Sequence, residues 1–240
     1  MMRSAAMAMA AVGAAAMLAG CSAPSAPAPA VQVAEAVQPT PDRALTLAMP
    51  TADELASMLG ASGFMGQLVE GGPDMLLQGV REAEATPVDC VSTRYQLQKV
   101  VYEASPVRSV ASQSWAGGDA DGPSATGFFG VVQFGDPAAA QAFFGASADK
   151  WHRCNGQTLV LTQPDRGTQG ASRISDVGVE DRIVSAVVMH DAGSTIQRAL
   201  GIASDCIVDV EISDVAGTSA PGASDAVAVA NLMLQKMGVS

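Results

Sequence analysis

The start of the chain, residues 1–21, constrains it most, because it decides which part folds and in which compartment. One basic residue, Arg3, precedes an uncharged apolar run over residues 5–17. Such a run after a basic residue is typical of a secretory signal peptide, and it is too short to span a bilayer as a stable helix. Residues 1–20 are therefore predicted to be a signal peptide that is removed on export.

The apolar run ends at Leu18-Ala19-Gly20-Cys21, which resembles the lipoprotein box of bacteria. The resemblance implies that diacylglycerol is attached to the Cys21 sulfur and that the chain is cut before this cysteine. Two acyl chains give stable anchoring, because each buried CH₂ group contributes about 0.8 kcal/mol. The expected location is the extracytoplasmic face of the cell membrane, held there by lipid. The alternative is a secreted protein whose cysteine follows an ordinary cleavage site.

A change in composition separates this leader from the part of the chain expected to fold. Residues 21–45 begin with the lipidated Cys21 and continue as a stretch rich in Pro, Ala and Ser. Such a composition favours an extended linker without a core of its own. Residues 46–240 are predicted to form one domain, since their number lies within the usual range for a single core.

The charge of the chain excludes one class of partner. The sequence contains 13 Lys and Arg against 24 Asp and Glu, a formal net charge of −11. A surface of this sign repels nucleic acid and anionic headgroups, and the sequence shows no Lys/Arg cluster that would reverse this locally. Nucleic-acid binding is therefore not expected, and attachment to a membrane must come from the lipid anchor.

The order of predicted elements indicates the α+β class. A capping box at Thr51 and Glu54 predicts a helix that ends at Gly60, and Asp136-Pro137 predicts the start of a helix that reaches Trp151. A third, amphipathic helix is predicted over residues 224–237. The expected architecture is an antiparallel sheet with helices packed on it, in a single domain.

The strands are predicted from β-branched and alternating runs. They cover residues 107–115, 128–134, 158–162, 173–177, 182–189, 197–203 and 207–212. The last five follow one another closely, as in an antiparallel meander. Residues 61–87 are predicted to be an irregular loop region with a possible helical turn over residues 75–80. Residues 95–102 fit a helix or a strand, and residues 117–124 are predicted to be a turn-rich connection.

Short motifs in this order resemble the PknH-like extracellular sensor domain family. The family occurs at the outer ends of mycobacterial receptor Ser/Thr kinases and as free-standing mycobacterial lipoproteins. The motifs are A-x-E-L at 52–55, P-x-x-C at 87–90, W-x-x-C at 151–154, Q-R-A-L at 197–200 and V-D-V at 208–210. The resemblance covers about residue 46 to the end. It implies a ligand-binding sensor domain with a central cleft between sheet and helices.

Cysteine usage fits an exported protein. The cysteines lie far apart without a C-x-x-C pattern, which disfavours a zinc site and favours a disulfide. The resemblance implies a bond between Cys90 and Cys154. The positions of a second family disulfide correspond to Ile196 and Ser213, so that bond is expected to be absent. Cys206 matches no family cysteine and is expected to be a buried thiol.

Candidate catalytic residues are few. The only histidines, His152 and His190, are interpreted as structural or surface residues, and the sequence has no G-x-S-x-G nucleophile elbow. Glu180 and Asp181 are adjacent, so on a strand they would point to opposite faces, and a solvated turn is the better interpretation.

A cation site is the remaining chemical hypothesis from the sequence. Asp205, Asp209 and Glu211 fall on one face of a regular strand and could bind calcium. Calcium loops usually have denser oxygen ligands and a glycine, so this pattern is not specific. No metal and no cofactor are therefore expected.

These observations predict a lipid-anchored extracytoplasmic domain that binds a small molecule or another component of the cell envelope. It is expected to be a monomer and not an enzyme. The sequence identifies neither the ligand nor the residues that contact it. Two alternatives stay open: a hydrolase or transferase that acts on envelope lipid or glycan, and a protein-interaction scaffold.

Overall fold

Ten strands form one antiparallel sheet in the part of the chain that the computed structural model describes, residues 44–119, 122–191, 193–215 and 222–238. Cys21 and most of the predicted linker lie outside the described residues. The strands are β1 (Gly63–Met65), β2 (Val69–Gly71), β3 (Ala85–Thr86), β4 (Val107–Asp119), β5 (Gly122–Phe134), β6 (Thr158–Gln163), β7 (Thr168–Glu180), β8 (Ile183–His190), β9 (Thr195–Ala203) and β10 (Cys206–Asp214).

The strand order is β1-β4-β5-β10-β9-β8-β7-β6-β3, and β2 also pairs with β4. The meander β6 to β10 is therefore confirmed. Five α-helices accompany the sheet in the described residues: α1 (Ala52–Leu59), α2 (Val91–Arg94), α3 (Lys99–Tyr102), α4 (Pro137–Cys154) and α5 (Ser224–Gly238). The α+β class and the single domain are confirmed. The central cleft that the resemblance implies is not shown and stays a prediction.

The sheet has a core on each face. On β10, Ile207 packs on the face that carries α4, and the next residue, Val208, packs on the face that carries α5. This alternation follows from the two-residue period of a strand. We call the two sides the α4 face and the α5 face. The short helices α2 and α3 lie on the α4 face, whereas α1 and a 3-10 helix over Leu45–Ala48 pack against α5.

The predicted helix starts are confirmed by their caps. The Thr51 side chain accepts a hydrogen bond from Glu54 N at 3.3 Å, and Thr51 N donates to Glu54 Oε2 at 2.8 Å. Gly60 ends α1 in the left-handed conformation at φ 69°. Asp136 accepts from Ala139 N at 2.8 Å, so the start of α4 is also capped as its sequence predicts.

Two loop predictions are wrong in part. Residues 117–124 are mostly strand, because β4 runs to Asp119 and β5 starts at Gly122. Gly117 makes room for a ring, since a Cβ atom there would overlap Trp115, as would one at Gly63 on β1. The region 61–87 contains the short strands β1, β2 and β3. These are too short to show an alternating pattern, and pairing with β4 and β6 defines them.

Candidate functional site

Five ionisable side chains meet on the α4 face and form what we call the charged cluster: Arg94, His190, Arg198, Asp209 and Glu211. Arg198 of β9 and Glu211 of β10 are directly paired across the sheet. Asp209 precedes Glu211 by two residues and therefore faces the same side. Arg94 is the last residue of α2, and His190 is the last residue of β8.

Arg198 is fully buried and has partners for its guanidinium group. Its Nη2 lies 2.8 Å from Asp209 Oδ1, and it donates to the backbone oxygens of Ser92 and Thr93 at 3.2 Å each. The guanidinium carbon lies 5.9 Å from the centre of the Trp151 ring. A buried cation needs such partners, because the cost of its desolvation is large.

The second oxygen of Asp209 is also used. Oδ2 accepts from Leu97 N at 3.0 Å and from the Tyr102 hydroxyl at 3.2 Å. Burial, and secondarily the nearby Asp209 carboxylate, raises the pKa of Tyr102 well above its ordinary value, so its hydroxyl remains a donor. The Arg198–Asp209 pair thus holds residues 91–102, which we call the α2–α3 segment, against the sheet.

Glu211 is less completely paired. Its Oε2 lies 3.6 Å from Arg94 Nη1 and 3.8 Å from Arg198 Nη1. This one oxygen has no hydrogen-bond partner among the described residues. Burial raises the pKa of Glu211, whereas Arg198 and Arg94 oppose this rise. Asp209 adds to it, and a hydrogen bond with Ser213 opposes it. Glu211 therefore keeps its proton to a higher pH than an exposed glutamate does.

His190 joins the cluster through both ring nitrogens. Its Nε2 contacts Arg94 Nη2, and its Nδ1 lies 3.3 Å from Ser172 Oγ. Burial first, and then the Arg94 charge, lower the pKa of His190, while Asp191 opposes this change. Because a guanidinium can only donate, Nε2 of the neutral ring must accept, and Nδ1 carries the proton towards Ser172. In this state His190 cannot remove a proton from Ser172.

A surface groove of about 500 Å³ begins beside Glu211 on the α4 face. Six of the residues that line it carry its chemistry: Phe64, Gln96, Ser114, Thr126, Phe128 and Glu211. Glu211, Phe128 and Ser114 are neighbours across three strands. Phe64 comes from the edge strand β1 and is 86% exposed. The groove thus combines two aromatic rings with hydroxyl, amide and carboxyl groups, which suits a small polar ligand with an apolar face.

The cysteines are arranged as the resemblance implies. Cys90 and Cys154 form a disulfide that joins the residue before α2 to the last residue of α4. Cys206 is buried, forms no disulfide among the described residues, and contacts Asp205 Oδ1 through its thiol at 3.7 Å. Ile196 and Ser213 are cross-strand partners, so the positions assigned to the second family disulfide do face each other.

The three acids considered as a calcium site, Asp205, Asp209 and Glu211, do not form a metal-binding group. Asp205 accepts from Gln133 Nε2 at 2.9 Å at the start of β10, whereas Asp209 and Glu211 face arginines. The described residues contain no group of three or more His, Cys, Asp or Glu that could hold a metal ion. The physical reason is that the strand pairing places Arg198 beside both carboxylates.

The remaining candidates lie away from the cluster. His152 is exposed in the last turn of α4, as predicted. Glu180 ends β7, and Asp181 occupies the following turn at φ 49°, which confirms the solvated turn. None of these three residues lines the groove.

Sequence reasoning missed Arg94, Arg198 and Gln96. Arg198 gives the clearest available signal, because Ile196 and Leu200, two residues to either side of it and therefore on the same face of the strand, are both apolar and buried. A charged residue at such a position needs a partner of opposite charge within the sheet. Arg94 and Gln96 lie in a short irregular stretch whose pattern carries no such signal.

Comparison with known proteins gives the family. The profile of the PknH-like extracellular domain matches residues 40–236. The crystal structure of the extracellular domain of PknH from Mycobacterium tuberculosis is similar with a TM-score of 0.71 at 20% identity, over 85% of this chain and 99% of that one. At this identity the likeness shows the fold alone.

An X-ray structure of an uncharacterised protein from Mycobacterium smegmatis aligns with a TM-score of 0.42 at 13% identity, over 82% of this chain and 97% of that one. No curated protein matches the chain. Within the described residues, no helix has both the length and the apolar character to cross a membrane. With a profile match over most of its length, the chain belongs to the PknH-like extracellular domain family.

Proposed function

We propose that the protein is a lipid-anchored extracytoplasmic lipoprotein that binds a small molecule of the cell envelope in the groove beside Glu211. One observation carries this proposal: Glu211 lines the groove, yet its Oε2 has no hydrogen-bond partner among the described residues. A buried polar atom without a partner costs free energy unless a ligand or water supplies one. Membership of an extracellular sensor-like family supports binding as the role.

The anchor is part of the same proposal. The motif that ends at Cys21 follows an apolar leader, and the net charge of −11 gives the protein no electrostatic attraction to an anionic bilayer. Lipid on Cys21 would hold the domain at the membrane, and the Pro- and Ala-rich linker that follows Cys21 would separate the two. Replacement of Cys21 by serine should move the protein from the membrane fraction to the soluble fraction. An N-terminal peptide without lipid in the wild-type protein would contradict the anchor.

The groove is proposed to hold its ligand without changing it. The arrangement of Ser172, His190 and Arg94 supports this, because the protonated Nδ1 of His190 faces Ser172 and cannot serve as a general base. We therefore place binding ahead of the hydrolase and transferase alternative.

Native mass spectrometry of the full chain, extracted from its own membranes, tests the proposal. We expect a small bound mass in the wild-type protein and its loss in Thr126→Trp, whose indole would fill the groove. Thr158→Trp is the control, since Thr158 is a threonine on a strand like Thr126, but it is exposed and does not line the groove. A bound mass that survives equally in both variants, or no bound mass in any of the three proteins, would contradict the groove as the binding site.

A further inference from the structure

The lining of the groove offers no cation to an anionic ligand. The described lining contains no Lys or Arg, and its only ionisable side chain is Glu211. A phosphate or carboxylate would meet this acid without a cation directed at it, in a protein whose net charge is −11. The groove therefore disfavours the phosphorylated headgroup of a lipid and a free organic acid alike.

Cationic ligands are disfavoured for a different reason. Glu211 already lies 3.6 Å from Arg94 Nη1 and 3.8 Å from Arg198 Nη1. The two arginines therefore already balance the charge of Glu211, and little of that charge is left to attract a cationic ligand. Glu211 can still accept a hydrogen bond from a neutral hydroxyl, because its Oε2 has no hydrogen-bond partner among the described residues.

The other lining groups match a molecule with hydroxyl edges and apolar faces. Phe64 is 86% exposed and Phe128 is half-buried, so both rings offer an apolar surface. Gln96 can donate and accept, and the hydroxyls of Ser114 and Thr126 can do either. A volume of about 500 Å³ lies within the range of small-molecule sites.

We infer that the ligand of the groove is a neutral carbohydrate whose apolar face lies against Phe64 and Phe128, while one hydroxyl donates to Glu211. This inference rests on the proposed function and names the class of molecule bound there. A sugar has hydroxyls that both donate and accept, which suits a lining of one acid, one amide and two hydroxyl groups.

The first test uses probes of matched size and different charge with the full chain in detergent. Four neutral disaccharides (maltose, cellobiose, α-1,6-mannobiose and lactose) are measured by saturation-transfer NMR and calorimetry, with trehalose 6-phosphate and the disaccharide of glucosamine as charged comparators. We expect at least one disaccharide to bind, and both charged comparators to bind at least about tenfold more weakly. Binding by none of the disaccharides, or tighter binding by a charged comparator, would overturn the inference.

Variants of an exposed ring locate the contact without risk to the core. Phe64→Ala should weaken the bound disaccharide about tenfold, and Phe64→Tyr should retain its affinity. Leu47→Ala is the control, because Leu47 is 68% exposed on the 3-10 helix that packs against α5 and does not line the groove. Equal effects of Phe64→Ala and Leu47→Ala would overturn the placement.

The chemistry of the molecule that co-purifies separates this inference from the function itself. If Thr126→Trp removes a bound mass that contains no sugar after acid hydrolysis, the groove binds a ligand and the carbohydrate inference is wrong. A bound peptide or lipid would be such a result. If Thr126→Trp removes nothing, the proposed function fails as well.

Discussion

Asp209 and Glu211 lie two residues apart on the same face of β10 and both lie near Arg198, but they differ in how they are paired. Asp209 has hydrogen bonds at both oxygens, to Arg198, Leu97 and Tyr102. Glu211 has long ion pairs and an Oε2 without a hydrogen-bond partner among the described residues. One carboxylate therefore holds the α2–α3 segment in place, and the other has an oxygen without a hydrogen-bond partner in a residue that lines the groove.

The largest effect on stability is expected when the Arg198–Asp209 pair is broken. Asp209→Asn should lower the free energy of unfolding by about 3–5 kcal/mol, because Arg198 is fully buried and would lose its charged partner. Urea denaturation monitored by Trp fluorescence measures this change. A loss below about 1 kcal/mol would show that the pair does not hold the segment.

The disulfide holds the same segment from its other end. Cys90 and Cys154 are 64 residues apart, and in the chain-entropy model a loop of this length contributes about 4 kcal/mol. The double variant Cys90→Ala/Cys154→Ala should lose stability of this order, measured by urea denaturation. Hydrogen exchange should then rise first in residues 91–102. Unchanged exchange there would contradict the role of the bond in holding this segment.

A new disulfide near the groove tests the strand register on the side of Glu211 and leaves the Arg198–Asp209 pair unchanged. Ile196 and Ser213 are cross-strand partners, and such pairs lie close enough for a disulfide. The double variant Ile196→Cys/Ser213→Cys should oxidise in air and raise the free energy of unfolding by up to about 3 kcal/mol. Mass spectrometry of the oxidised protein, with and without reductant, checks the bond. A protein that keeps both thiols after oxidation would show a different register.

The smallest effect is expected at Glu211. Because its pKa is raised above the ordinary value of 4.5, the stability that this group contributes is fully present below pH 4.5 and declines as the pH rises through the folded-state pKa. Glu211→Gln should therefore leave the stability at pH 7 equal or higher, within about 1 kcal/mol. The difference from wild type should vanish below pH 4.5. Urea titrations at several pH values measure this difference in the free energy of unfolding. A large loss of stability at pH 7 would show that Glu211, like Asp209, is needed to hold its arginine partners.

Local signals account for what the sequence predicted of the fold. Thr51 and Asp136 cap their helices as expected, and the β-branched runs after α4 form the expected meander. The glycines of residues 117–124 misled the prediction, because Gly117 serves the packing of Trp115 and not a turn. Pairing with β1 and β5 makes this stretch a strand, and local composition does not encode that pairing.

The charged cluster and the groove were less predictable, because both bring together residues from strands that are distant in the sequence. The alternation of β10 places Asp209 and Glu211 on one face, but only the register with β9 puts Arg198 between them. That neighbour converts a possible calcium cluster into a set of ion pairs. Likewise, the groove joins Phe64 of β1 to Glu211 of β10, and no local pattern relates these two residues.

The contrast between the two carboxylates is tested most directly by carbon NMR of their side chains. The carboxyl signals of Asp209 and Glu211 should be recorded in the protein with and without the molecule that co-purifies from the membrane. We predict that the Glu211 signal shifts on binding and that the Asp209 signal stays in place. An unchanged Glu211 signal, or equal shifts of both, would contradict the assignment of Glu211 to the ligand.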